Sequence, residues 1–295
     1  FLTAMHSFSR AKFLTLALGG LVGTLSTALI SCGNGSQTVG GAAEESFVAI
    51  TQIVEHPALN AVRDGVKDEL AEAGYTEGET LRWEWQSAQG SPVAATQIAS
   101  KYAGAQPDVI VAIATPSAQF VTAATSDTPV IFSAVTDPVG AELVEDAEKP
   151  GGNISGVSDL SPIKQQLELI QEIMPEVKTL GVIYSASKDN SVSLVALINE
   201  NAPDLGIEIE AVTVSTSGEV ADVARSLVDT VDAIYVPTDN TVVSALESVI
   251  QVGQEAQVPV FAEDTDSVER GASAAISFDY YDVVRQTGAM VTKVL

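Results

Sequence analysis

Four short stretches carry side chains suited to gripping a small charged molecule. "ATPSAQ" offers the hydroxyls of Thr115 and Ser117, and "AVTDPVG" offers Thr136 and Asp137. "YSASKDNSVS" offers Asn190 and Ser191, and "VPTDNTVV" offers Asp239 and Asn240. Each stretch begins where an apolar run stops and a helical pattern starts. A hydroxyl pair beside the unpaired amide hydrogens of a helix start can hold a carboxylate. Taken singly, each residue is equally well explained as a helix cap, and Asp137 as an Asp-Pro turn. Together they supply acids, amides and hydroxyls, the set needed for the ammonium and carboxylate of a zwitterion.

Catalytic chemistry has less support. Beyond His6 the chain has one histidine, His56, and no Gly-x-Ser-x-Gly elbow, so a Ser-His-Asp hydrolase lacks its parts. His56 precedes Pro57 after an apolar run, where it can contact a ligand or face solvent. No histidine pair at helical spacing and no Cys-x-x-Cys occurs, and "EDTD" (Glu263 to Asp266) lacks the spacing of a calcium loop. "GGNISG" lacks the Lys-Ser/Thr of a phosphate-binding loop and the dinucleotide spacing. No cofactor and no metal are expected. Trp83 and Trp85 alternate along one strand, so they share a face and are read as packing.

The elements that must position these residues alternate between strand and helix. "FVAITQIV", "TLRWEWQS", "PDVIVAIAT" and "TPVIFSAV" read as strands. Val62, Val66, Leu70 and Ala73 share a helical face that Gly74 stops, and further helices run from about Val93 to Ala105 and from Ser117 to Ser126. The glycine-rich loop "EKPGGNISGVSDLS" marks a lobe boundary. The pattern then restarts: Ser161 is expected to cap a helix with Pro162 in its first turn and a stripe of Ile163, Leu167, Ile170 and Met174. "KTLGVIYS", "GIEIEAVTV", "VDAIYVPT" and "VPVFAE" alternate with helices before a last helix begins after "GASAAISFDYYD". The expected fold is α/β, with two Rossmann-like lobes of parallel sheet flanked by helices and a ligand cleft between them.

Composition excludes one class of partner. With 14 basic and 39 acidic residues the formal charge is -25, a surface that repels nucleic acid. The N-terminus supplies a location. Arg10 and Lys12 precede an uncharged run from Phe13 to Ile30, and Leu29-Ile30-Ser31-Cys32 resembles the lipobox of bacterial lipoproteins. Cys32, the only cysteine, has no disulfide or metal partner in the sequence and is read as the lipidated residue of a membrane anchor. The expected layout is a signal peptide over 1–31 and a flexible tether over 32–46, followed by two lobes, 47–158 with 280–295 and 159–279. The start at Phe1, ahead of Met5, and an end at Leu295 inside a helical pattern read as a fragment or a misassigned start.

"TQIVEHPALNAVRDGVKDEL", "ATPSAQ", "AVTDPVGAELV", "GNISGVSD", "PIKQQLELI", "PTDN" and "FDYYDVVRQTGAM" occur in order from Phe47 onward. The chain resembles the substrate-binding lipoproteins of ABC transporters in the tryptophan/tyrosine-type group. That resemblance implies a type I periplasmic-binding-protein fold whose lobes close on a small ligand, working with a membrane permease and a cytoplasmic ATPase. It also implies an aromatic amino acid as ligand. The sequence departs from the group at one helix start, where Glu-x-Asn-Ser is common and "KDNS" stands here; Asn190 and Ser191 match, while Lys188 and Asp189 alter the charge.

Asp239 is therefore assigned to the ligand ammonium, with Asp137 as second candidate, and Thr115, Ser117 and Thr136 to the carboxylate. Asn190, Ser191 and Asn240 are expected to close from the second lobe, and Tyr184, Tyr235 and Phe132 are available to the side chain, though each is equally well explained as core. The protein is expected to act as an extracytoplasmic, membrane-anchored monomer without catalysis. A ligand sensor for a membrane receptor and a secreted hydrolase on a similar fold are the alternatives.

Overall fold

The structure is a computed structural model, and it describes residues 45–278 and 280–295. Cys32, the apolar run before it and nearly all of the expected tether lie outside the described residues.

Two parallel sheets organise the chain. In the first, β1 (Ser46–Gln52), β2 (Leu81–Ser87), β3 (Val109–Ile113), β4 (Val130–Val135) and β5 (Ile154–Ser158) lie in the order β2-β1-β3-β4-β5. All four pairings are parallel. In the second, β6 (Thr179–Tyr184), β7 (Glu208–Thr213), β8 (Ala233–Val236) and β9 (Val260–Ala262) lie in the order β7-β6-β8-β9, again all parallel. Parallel neighbours require crossovers, and α1 (Pro57–Glu72), α2 (Pro92–Ala105) and α3 (Thr115–Ala124) provide them in the first sheet. The central strands β3 and β4 are buried at every position, as strands covered on both faces must be.

Local sequence explains where the elements begin and end. Helix α1 buries Leu59, Val62, Val66 and Leu70, and Gly74 beyond it takes a φ of 95° that a side chain would resist. Ser91 caps α2 by accepting from the Ala94 amide. Two expectations need correction. The glycine-rich segment after Pro150 contains a strand, β5, whose Gly156 lies so close to the Phe132 carbonyl that a Cβ would sit 2.1 Å from it. Ser161 does not cap the next helix, α4 (Ile163–Ile173); its hydroxyl is turned instead toward the buried Glu263 carboxyl, without a well-formed hydrogen bond.

One core cluster fills the first sheet and includes Val284 and Val291 from α10 (Tyr280–Val294). Two clusters cover the faces of the second sheet. The chain thus passes from the first sheet to the second after Ser158 and returns as α10, which packs on α1 and β4. Trp83 and Trp85 pack against the first core, with the Arg63 guanidinium 4.4 Å from the Trp85 ring centre. Phe132 and Tyr235 are buried in the two lobes' cores, and Tyr184 packs partly buried against one of them. Among the described residues no helix is long and apolar enough to cross a membrane.

Candidate functional site

The carboxyl ends of the strands from both sheets face one another across a cleft. From the first lobe, His56, Ala58, Leu59, Ala114, Thr115, Ala134 and Thr136 line it; the second contributes Asp159, at its first position, with Asn190, Thr238, Asn240, Val243 and Asp264. The enclosed cavity is only about 20 Å³, room for a water molecule. Three hydrogen bonds cross between lobes and hold them together. His56 Nε2 meets Asn240 Oδ1 at 3.2 Å, Gln119 Nε2 donates to Asp189 Oδ2 at 2.6 Å, and Ser193 Oγ donates to Asp137 Oδ2 at 3.2 Å.

Two backbone distortions shape the first-lobe wall. Ala114, between β3 and α3, has a φ of 75°, and Ala134 at the end of β4 has a φ of 54°. Non-glycine residues rarely adopt such angles, and they recur where a site demands them. At Ala134 the pairing with β5 shifts register, a bulge after which Thr136 lines the cleft. At Ala114 the chain turns directly into α3, which has no side-chain cap. Pro116 has no N–H, so the first-turn amides left to meet an anion are those of Thr115 and Ser117, beside the hydroxyls of the same two residues. Both hydroxyls are buried, and neither has a hydrogen-bond partner. His56 Nδ1 and Asn190 Oδ1 are likewise buried without partners. Orphaned buried polar atoms are costly, so three of them on the cavity wall, with Ser117 near by on α3, indicate a surface made to receive polar groups.

The carboxylates are not those expected. Asp239 is fully buried but does not line the cavity. Its Oδ2 accepts from the Ser185 amide at 2.7 Å and Ser191 Oγ at 2.6 Å; its Oδ1 accepts from the amides of Thr241 at 2.7 Å and Val242 at 3.1 Å. A carboxylate has about four acceptor positions, and all are taken in capping the short helix α7 (Asn240–Val243) and tying it to β6. Asp239, expected to hold the ligand ammonium, is thus occupied by protein donors, and the Ser191 hydroxyl, expected to close on the ligand, donates to Asp239. Asp137 also stands outside the cavity; it accepts from the Gly140 amide at 2.8 Å, the Asp-Pro turn, and from Ser193 across the cleft. Thr115, Thr136, Asn190 and Asn240 do line the cavity, while Ser117, two residues after Thr115, does not.

The carboxyls that do line the cavity are those of Asp159 and Asp264. Asp159, 5% exposed, accepts from Thr136 Oγ1 at 3.1 Å, and burial pushes its pKa up to about 6. Asp264, 3% exposed, accepts from the amide of Ser267 at 2.9 Å and its hydroxyl at 2.7 Å. Behind them Glu263, buried and accepting from the Thr238 amide at 2.6 Å, is pushed up to about 7 by burial, with the nearby Asp159 adding to the rise. Burial lowers the pKa of His56, the larger effect over its hydrogen bond to Asn240, and favours the neutral ring. Asp159 ends "GVSD" and Asp264 follows "VFAE"; both stand just past a strand end, which was the available signal. Among the described residues no group of three or more His, Cys, Asp or Glu is placed to hold a metal ion.

Residues 47–295 match the family model for ABC transporter substrate binding proteins. The chain belongs to this family. It is 37% identical over 289 residues to a Tyrosine-binding protein of Clostridioides difficile, covering 96% of this chain and 84% of that one. Among solved structures, a Streptococcus pneumonia ABC domain in complex with L-Trp superposes with a TM-score of 0.82 at 37% identity, covering 85% of each chain. The ligand-free, open structure of a Clostridium difficile substrate binding protein with adhesive properties gives 0.62 at 40% identity, covering 84% of each.

Proposed function

We propose that this protein captures an aromatic amino acid as a zwitterion outside the cytoplasmic membrane and delivers it to an ABC permease driven by a cytoplasmic ATPase. One observation carries the reading: an uncapped helix start with two orphaned buried hydroxyls faces two buried carboxyls, Asp159 and Asp264, across a cleft between lobes. Thr115, Ser117 and the first-turn amides of α3 bind the ligand carboxylate. Asp159, aided by Asp264, binds the ammonium, and Thr136, Asn190 and Asn240 supply the remaining polar contacts. The relatives named for tyrosine and complexed with L-Trp support the aromatic class. The cavity of about 20 Å³ is smaller than any aromatic ring, so the lobes, 47–158 with 280–295 and 159–279, part for entry and reclose on the ligand. Cys32 carries the lipid that anchors the protein, which works as a monomer and returns its ligand unchanged.

The test is calorimetric titration with a panel of amino acids, sugars and nucleosides. Selective binding of tyrosine, phenylalanine or tryptophan, weakened at least about tenfold by Thr115→Val through loss of one hydrogen bond, is the expected result. Binding confined to sugars or nucleosides, or chemical conversion of a bound solute, would overturn the reading.

A further inference from the structure

Beyond Asn240 the cleft opens into a second compartment of about 240 Å³. Ile53, Val54, Gln89 and Gly90 of the first lobe form one side; Lys188, Ser215, Thr216, Ser217, Thr241 and Ser244 of the second form the other. Asn240 lines both compartments, so they share a wall. The cradle around Thr115 and Asp159, at about 20 Å³, has no space for a side chain as it stands, and the larger volume lies on the far side of Asn240. Its lining combines two aliphatic side chains with hydroxyls, and Lys188 is its single cation.

Lys188 is partly buried, and burial lowers its pKa. Its Nζ donates to Thr241 Oγ1 at 2.5 Å. Among the described residues it forms no ion pair, although the chain carries 39 acidic residues. Asp239, the acid whose charge acts on Lys188, and the acids beside the compartment's lining are otherwise engaged. Asp239 has its acceptors filled, Asp189 accepts from Gln119, Glu55 accepts from Gln89 at 2.5 Å, and Glu219 accepts from the Ser215 amide at 2.8 Å. An ammonium has three donors, and one is used here by protein.

We propose that this compartment receives the far end of the ligand side chain and that Lys188 selects an aromatic ring bearing a hydrogen-bond acceptor there, as tyrosine does. The inference rests on the aromatic amino-acid reading above. The phenol oxygen accepts from Lys188 Nζ and its proton is donated to a neighbouring hydroxyl, Thr241 or Ser244. The ring lies against Ile53 and Val54, and the His56–Asn240 hydrogen bond at the shared wall gives way as the ring passes. Phenylalanine leaves the ammonium without that acceptor, and the indole N–H of tryptophan can only donate. A charge-assisted hydrogen bond is worth roughly ten- to a hundredfold in affinity, and a site built around such a bond discriminates against the ligand that lacks it.

The experiment is calorimetric titration of wild type, Lys188→Met and Lys188→Arg with L-tyrosine, L-phenylalanine and L-tryptophan, with thermal unfolding of each variant as the folding control. Wild type should prefer tyrosine to phenylalanine by at least about tenfold. Lys188→Met should bring that ratio close to one and Lys188→Arg should keep most of it. A ratio of one in wild type, or an undiminished ratio in a folded Lys188→Met protein, overturns the role of Lys188 and leaves the aromatic reading standing. Failure of all three amino acids to bind wild type removes the aromatic reading and this inference with it.

Discussion

Replacing Asp239 by alanine should destabilise the protein before it alters any ligand contact. The side chain is fully buried and receives four donors. Removing it leaves the amides of Ser185 and Val242 buried without acceptors, each at about 1–3 kcal/mol. Loss of the helix cap on α7 adds about 1 kcal/mol. The Ser191 hydroxyl can rotate to another acceptor, and the partly buried Thr241 amide can reach water, so neither adds its full penalty. The total is about 3–7 kcal/mol, at the upper end of single-substitution effects. Asp239→Asn keeps one acceptor oxygen but sets an amide group against donors, and should cost roughly half as much. Urea unfolding followed by far-ultraviolet circular dichroism measures both. An unfolding free energy for Asp239→Ala within about 1 kcal/mol of wild type, alongside a more than tenfold loss of ligand affinity, would refute the capping argument. It would return Asp239 to the ligand.

Three further outcomes follow from the buried carboxyls and a close backbone contact. The folded-state pKa of Glu263, about 7, lies above its ordinary 4.5, so its protonated form stabilises the fold fully below pH 4.5 and that contribution disappears as pH rises through 7. Glu263→Gln should therefore match wild type at pH 4.5 and exceed it by about 3 kcal/mol at pH 8, as urea melts at the two pH values would show; equal stability at pH 8 would contradict the shift. Asp159 must be ionised to hold an ammonium, so ligand affinity should fall by about tenfold per pH unit below its pKa, which is about 6. Asp159→Asn should bind weakly with a flat profile in titrations from pH 5 to 8, and an unchanged slope in that variant would remove Asp159 from the ammonium site. Gly156→Ala would place a Cβ 2.1 Å from the Phe132 carbonyl oxygen; because backbone must move, thermal melts should show a loss of about 2–4 kcal/mol, and a variant as stable as wild type would contradict that contact.

Periodicity was a good guide to the fold because each helix and strand is specified by neighbours along the chain. The stripe Val62, Val66 and Leu70 is buried in α1, and the β-branched runs at Val109 and Val130 are the central strands of the first sheet. It faltered at β5, where glycine and serine dominate and close packing against Phe132, a long-range property, decides the strand. Site residues divided in the same manner. The strand-end rule placed Thr115, Thr136, Asn190 and Asn240 at the cleft, since the end of a parallel strand faces the crevice whatever its partners are.

What the sequence determined by itself was the family, the two α/β units and the polar chemistry at the strand ends, all carried by local pattern and ordered motifs. What only tertiary structure decided was which carboxyl is free. Asp239 and Asp159 look alike along the chain, each an acid just past a strand. Asp239 meets four donors from β6, α5 (Asp189–Asn201) and α7 that fill its acceptors, whereas Asp159 meets only the Thr136 hydroxyl among side chains and faces the cleft. The cap donors Thr241 and Val242 are local, but the two that complete the saturation, Ser185 and Ser191, come from about fifty positions away, and no local pattern records them.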